Sequence, residues 1–243
     1  MESSPKFGEI LYRVRDPPWV LSYAYRQVTE LWDLISPSEF SALYRQVRGI
    51  TMCSNARLRG LYSAVQRVVS QGIAGDLVEC GTARGGSAAL MGLTLKRLDA
   101  ERTLWVFDTF EGLPAPTGAD PDFNNANRWT GSCIGTLEEV TASFERLGIL
   151  AQARFVKGLF QDTLPRTGVK KIAVLHIDGH WYESVKVCLE NLYDRAVSGG
   201  VIHIDDYGFW KGARKAVDEF LARRSINVES KRLDYSGRQF IKP

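Results

Sequence analysis

No apolar run in the sequence approaches the ~20 residues of a membrane-spanning helix, so no such helix is expected. The opening stretch, MESSPKFGEILYRVRDPP, carries no apolar signal core, and a cytoplasmic protein is expected. Basic charge is not gathered anywhere, and the net charge is only +3. Nucleic acid and anionic membranes are therefore excluded as expected partners. The four cysteines, Cys53, Cys80, Cys133 and Cys188, stand far apart and in no metal-ligand spacing. They read as reduced thiols, two of them inside apolar patterns. There is no internal repeat, no low-complexity tract and no Pro/Gly/Ser-rich linker, so the 243 residues read as one domain. The dinucleotide fingerprint G-x-G-x-x-G is missing too, because Thr82-Ala83 stand where a second glycine is needed. That disfavours a nicotinamide dehydrogenase.

The stretch DLVECGTARGGSAAL, Asp76 to Leu90, is what the sequence does have. A short apolar run, a glycine turn and small helix formers read as a buried strand, a tight turn and a helix N-terminus. Glycine lets the backbone approach a ligand where a Cβ would collide. The N–H groups opening the helix favour an anion, a carboxylate or a phosphate. Ser87 and the loop amides are the expected anion contacts, with Glu79, Gly81 and Thr82 beside them.

Upstream, aromatic and aliphatic residues from Trp19 to Leu34 fall on one helical face. Ser36-Pro37-Ser38-Glu39 reads as a capping box with N-cap Ser36, starting a helix to about Val47. Ser54 caps a third helix, Asn55 to Gln71. Downstream, apolar runs at 104–107, 154–157, 172–177 and 201–204 predict further strands, with helices between them at 85–98, 136–147, 183–196 and 210–222. Ser198-Gly199-Gly200 reads as a turn before the strand at 201–204, and short strands near Val228 and Phe240 close the chain. Continuous apolar strands alternating with helices predict an α/β fold with a mostly parallel sheet covered on both faces. Two connections, Arg48 to Cys53 and the long polar loop Gly112 to Gly135, are candidate lids.

Open parallel sheets bind ligands beyond the carboxyl ends of their strands. Here Glu79, Asp108, Asp178 and the pair Asp205-Asp206 each follow directly on an apolar run. Asp108 is placed to accept hydrogen bonds from a vicinal diol. If the strands bearing Asp178 and Asp205-Asp206 are neighbours, about 4.8 Å apart, three carboxylates converge with no lysine or arginine nearby in sequence. Such a group calls for protonation or a cation. Oxygen ligands suit a hard ion, Mg²⁺ first, then Mn²⁺ or Ca²⁺. His176 and His203 lie inside strands and read as packed, hydrogen-bonded core residues. His180, two residues after Asp178, is a candidate base, cofactor contact or metal neighbour.

Five segments in order, DLVECGTARGGSAAL, LWVFDTFEGLP, FVKGLFQDTLP, LHIDGHWYES and GGVIHIDDYG, resemble the macrocin O-methyltransferase family from about Thr51 onward. The resemblance implies a Rossmann-like class I methyltransferase with a seven-stranded sheet whose last strand is antiparallel. Residues 1–71 would form an N-terminal helical extension and lid, and 72–243 a cofactor- and metal-binding core. It implies S-adenosyl-L-methionine as donor, Mg²⁺ held by Asp178, Asp205 and Asp206, and a small-molecule sugar or glycosylated acceptor of antibiotic biosynthesis. The alternatives are a non-sugar vicinal diol or catechol as acceptor, or a protein that binds the donor without catalysis. The intact carboxylates argue against the last. Assembly into homo-oligomers is left open.

The turn Gly158, Gln161, Asp162 is similar to one in catechol O-methyltransferase, which implies Phe160 and Gln161 near the adenine. That enzyme's lysine three residues after its first metal aspartate is Trp181 here. Where relatives read G-D-L-Y-E-S, this chain has Gly179-His180-Trp181-Tyr182-Glu183-Ser184. Asp178 is the first candidate for the proton acceptor and His180 the second.

Overall fold

The computed structural model describes residues 28–243. The helix read over Trp19 to Leu34 therefore lies largely outside the described residues, although 28–35 are helical. The next helix, α1, is Glu39–Val47, and its cap is Ser38, whose side chain accepts from the Ser41 amide. The expected capping box on Ser36 does not form. Ser36 Oγ instead accepts from the Ser38 amide at 3.3 Å, and Pro37 stays outside the helix. Helix α2, Asn55–Ser70, is capped by Ser54 as expected.

The strands are β1 Asp76–Cys80, β2 Leu104–Asp108, β3 Ala153–Lys157, β4 Ile172–Ile177, β5 Ala196–Ile204, β6 Lys231–Arg232 and β7 Arg238–Ile241. Helix α3 (Gly86–Arg97) follows β1, α4 (Leu137–Arg146) precedes β3, α5 (Tyr182–Leu192) follows β4 and α6 (Lys211–Arg223) follows β5. Thr136 and Glu139 form the predicted capping box of α4. All seven strands join one sheet in the order β3-β2-β1-β4-β5-β7-β6. The first five are parallel and β7 runs antiparallel to β5.

Three details differ from the sequence reading. Helix α5 stops at Leu192 rather than Ala196, and a single tighter turn, Tyr193–Arg195, leads into β5. Ser198-Gly199-Gly200, expected as a turn, lies inside β5. The Gly199 amide donates to Lys242 O, and the Lys242 amide to Gly200 O. Bonding to the end of the chain thus keeps these glycines in the strand. The strand expected near Val228 begins only at Lys231.

Successive side chains of a strand point to opposite faces. Leu77 enters a core with Phe40, Leu58, Leu61, Leu90 and Phe144 of α1–α4, while Val78 enters a second core with Val185, Leu189, Val217 and Phe220 of α5 and α6. Both faces of the sheet are therefore covered. Full burial of each such side chain stabilises the fold by about 1.5–3 kcal/mol. What stays open is the edge where β1, β2, β4 and β5 end.

Candidate active site

Sheet order decides which strand ends meet. Strand β4 lies between β1 and β5, with His176 in register with Glu79 on one side and His203 on the other. The polar residues after these strands must therefore converge. At the β1 end, Gly81 has φ +90, and a Cβ there would overlap the Asp178 carbonyl oxygen. The Asp178 amide in turn donates to Cys80 O at 2.8 Å. The glycine turn and Asp178 are thus parts of one joint. Gly85, at φ +85, precedes α3 and supplies no side-chain cap to its first amides.

A cleft of about 280 Å³ runs along this edge. Gly81, Asp108, Phe160 and Gln161 line it beside the β1–β3 ends, and Asp178 and His180 beyond β4. The long loop contributes Leu113, Pro114 and Cys133 to its wall. Of the other expected cofactor contacts, Glu79, Thr82 and Ser87 are buried next to the cleft rather than in its wall. Gly158 stands behind Asp108, its amide donating to Asp108 O at 2.9 Å. Asp108 Oδ2 accepts from the Thr82 and Ala83 amides at 2.6 and 3.1 Å, and Oδ1 from the Phe110 amide at 2.8 Å. This carboxylate therefore shapes the glycine turn as well as facing the cleft.

Asp178 belongs to two clusters of potential ligand atoms, each within 4.8 Å. On the cleft side it meets His180 and Asp206; on the interior side it meets Cys53, His176 and Asp205. His180 Nδ1 lies 3.5 Å from Asp178 Oδ1 and 3.2 Å from Asp206 Oδ2. Its backbone has φ +59, and its amide donates to Asp206 Oδ2 at 3.1 Å. Burial works against a charge on His180, but the Asp206 carboxylate and a contact with Cys133 lift its pKa to about 9. Burial, then the carboxylates of Asp205 and Asp206, push Asp178 well above the usual carboxylate range. Asp178 Oδ1 is buried without a hydrogen-bond partner. An oxygen left bare in such a place fits a cation, and the carboxylate-rich donor set fits a hard one.

The sequence shows no lysine or arginine near these carboxylates, yet the fold supplies Arg57 from α2. Its Nη1 pairs with Asp205 Oδ2 and its Nε with Asp234 Oδ2. Burial works against the charge on Asp205, but Arg57 holds this carboxyl well below the usual range. His176 and His203 are fully buried, as read, but neither ring nitrogen of His203 makes the expected hydrogen bond. His176 Nδ1 contacts Glu79 Oε1 at 2.8 Å. Burial opposes its charge, but the neighbouring carboxylates of Asp205 and Glu79 bring His176 to about 10. Burial takes His203 down to about 4. Arg57 and Cys53, both missed in the sequence, reach the site across 148 and 152 residues of chain. No local signal marks such contacts.

Trp181, at the lysine position of the catechol enzyme, is buried, and its indole donates to Pro114 O at 2.7 Å. It ties the long loop to the start of α5. Asp120 of the same loop accepts from the Tyr182 amide at 2.8 Å.

Residues 41–242 match the model of the macrocin O-methyltransferase family. The chain belongs to that family. It is therefore an S-adenosylmethionine-dependent O-methyltransferase, and its sheet is the class I methyltransferase sheet. Among relatives of the macrocin O-methyltransferase family, a tetracenomycin rhamnosyl 4'-O-methyltransferase of Streptomyces olivaceus is 39% identical, over 77% of this chain and 73% of that protein. Mycinamicin III 3''-O-methyltransferase of Micromonospora griseorubida is 32% identical, over 96% and 97%. The solved O-methyltransferase NovP superposes with a TM-score of 0.75 at 35% identity, covering 79% of this chain and 82% of NovP. No described helix is long and apolar enough to cross a membrane.

Proposed function

We propose that this chain moves a methyl group from S-adenosylmethionine to a hydroxyl of a sugar carried by a natural product, with a divalent cation, Mg²⁺ first, held by Asp178, Asp205 and Asp206. The observation that carries this reading is the single cleft joining the glycine turn, Asp108 and Gln161 to Asp178 and His180. Donor and acceptor groups then share one cavity, as an in-line displacement requires. The relatives named above act on sugar-bearing compounds, which favours a sugar over a catechol. The free thiols suit a cytoplasmic setting.

In this reading Ser87 and the amides after the glycine turn hold the donor's carboxylate, with Glu79, Gly81 and Thr82 beside its amino group. Asp108 takes the ribose hydroxyls, and Gly158, Phe160 and Gln161 border the adenine. Mg²⁺ held by these carboxylates would supply a Lewis acid that makes the acceptor hydroxyl more acidic. Asp178 faces the acceptor and takes its proton, the methyl passes from sulfur to the acceptor oxygen, and the sulfonium becomes a neutral thioether. His180, within 3.5 Å of Asp178, is the alternative acceptor of that proton.

The test is transfer of a labelled methyl to a panel of deoxysugars and catechols, with and without Mg²⁺. Deoxysugars should be methylated and catechols not. Asp178→Asn should abolish turnover while S-adenosylmethionine affinity stays within a few fold. His180→Ala should cost about 10²–10⁴ in kcat only if it is the base. Full activity after EDTA removes the metal from this reading. Normal turnover of Asp178→Asn removes its role as base.

A further inference from the structure

The interior cluster beside Asp178 has the composition of a second kind of metal seat. Its four candidate ligand atoms come from Cys53, His176, Asp178 and Asp205 and lie within 4.8 Å of one another. Cys53 Sγ is 3.7 Å from Asp205 Oδ1, and His176 Nε2 is 3.5 Å from the same oxygen. Tetrahedral zinc, with bonds of about 2.0–2.3 Å, spaces its ligands about 3.3–3.6 Å apart. Those two separations are close to that pattern.

His176 supplies an independent sign of a ligand. It has no exposure, and Nε2 makes no hydrogen bond. A buried ring nitrogen left bare costs stability unless something occupies it. Its other nitrogen, Nδ1, is held by Glu79 at 2.8 Å. Metal-ligating histidines are oriented in this way, with the far nitrogen on a carboxylate. Asp205 is divided to match: Arg57 takes Oδ2, and Oδ1 faces the cluster.

We infer that Cys53, His176, Asp178 and Asp205 form a seat for a borderline divalent ion, Zn²⁺ in the first place, distinct from the oxygen-ligand set proposed for Mg²⁺. A thiolate and an imidazole select Zn²⁺ over Mg²⁺. The seat does not rest on the proposed reaction. It does share Asp178 and Asp205 with the hard-ion set, so the two ions compete for both carboxylates. Zn²⁺ is then an inhibitor of Mg²⁺-supported transfer rather than a substitute for Mg²⁺.

Cobalt(II) bound to the full chain reads the site optically, because a thiolate ligand gives a charge-transfer band that oxygen ligands do not. The expected result is such a band at one equivalent, absent in Cys53→Ser and retained in Asp206→Asn. Glu79→Gln should weaken binding about 10–100-fold. X-ray absorption on the Zn²⁺-loaded wild type needs no variant and should show one sulfur at about 2.3 Å. A shell of nitrogen and oxygen alone overturns the inference. So does a cobalt band that survives Cys53→Ser, or failure of the chain to retain either ion. Loss of Mg²⁺ dependence in the methyl-transfer assay leaves these readouts untouched, so the two readings fail separately.

Discussion

Asp178 is an acid that the folded chain keeps protonated more readily than the unfolded chain does, through burial and the carboxylates of Asp205 and Asp206. A raised folded pKa stabilises fully below about pH 4 and loses that contribution as pH rises through the folded value. The metal-stripped chain should therefore lose thermal stability as pH is raised from about 4 toward neutrality. Saturating Mg²⁺ should flatten the slope, and so should Asp178→Asn. Calorimetry across pH checks this, and a slope unaltered by Asp178→Asn refutes the assignment. Arg57 has the opposite role, since it pairs with buried Asp205. Arg57→Gln removes the cation closest to that buried charge and should cost about 3–5 kcal/mol in denaturant unfolding. Asp108→Ala should weaken S-adenosylmethionine binding by about 1.5–3 kcal/mol, read by titration calorimetry. Unchanged affinity would leave Asp108 as a brace for the glycine turn only, through its bonds to Thr82 and Ala83.

At the scale of elements, the long loop is fastened at several points. Trp181 donates to Pro114 O, Asp120 accepts from the Tyr182 amide, and Lys215 Nζ donates to Ala119 O at 3.2 Å. These ties place it as a wall of the cleft, and its closing over the cofactor is a separate matter for proteolysis. Bound S-adenosylmethionine should slow cleavage within 112–135, and identical cleavage with and without it would sink the lid idea. Asp120→Ala should speed cleavage and destabilise the start of α5 by about 0.5–2 kcal/mol, the worth of a capping side chain. The strands were readable because buried parallel strands are continuous apolar runs, as in Ile172–Ile177, where every residue is buried. The start of β5 was not, because Ser198-Gly199-Gly200 carries turn chemistry that pairing with the chain end overrides. The carboxylates were readable for the same reason as the strands: each stands where an apolar run stops. The groups that divide Asp205 between them were not. Arg57 follows its own cap by three residues and looks like any exposed position of an amphipathic helix, and Cys53 looks like a loop thiol. Only the packing of α2 against the sheet brings them to the carboxylates.

For the molecule as a whole, one sheet brings the proposed donor residues of β1–β3 and the proposed acceptor-side residues of β4 and β5 to one edge, with β4 in the middle. The central seam is narrow: Gly81 faces the Asp178 carbonyl with no room for a Cβ, and the Asp178 amide is bonded to Cys80 O. The turn after β1 and the segment after β4 therefore fit each other as a matched pair. A chimera that takes its β4 segment from one family member and its β1 turn from another brings together two halves that were never fitted to each other. Exchange of the loop 112–135, which meets the cleft from outside the seam, leaves that fit untouched where the ties to Trp181, Tyr182 and Lys215 are kept. Acceptor range in an enzyme of this design is thus free to diversify at the rim while the seam stays fixed, and directed evolution toward new sugars has its widest latitude there.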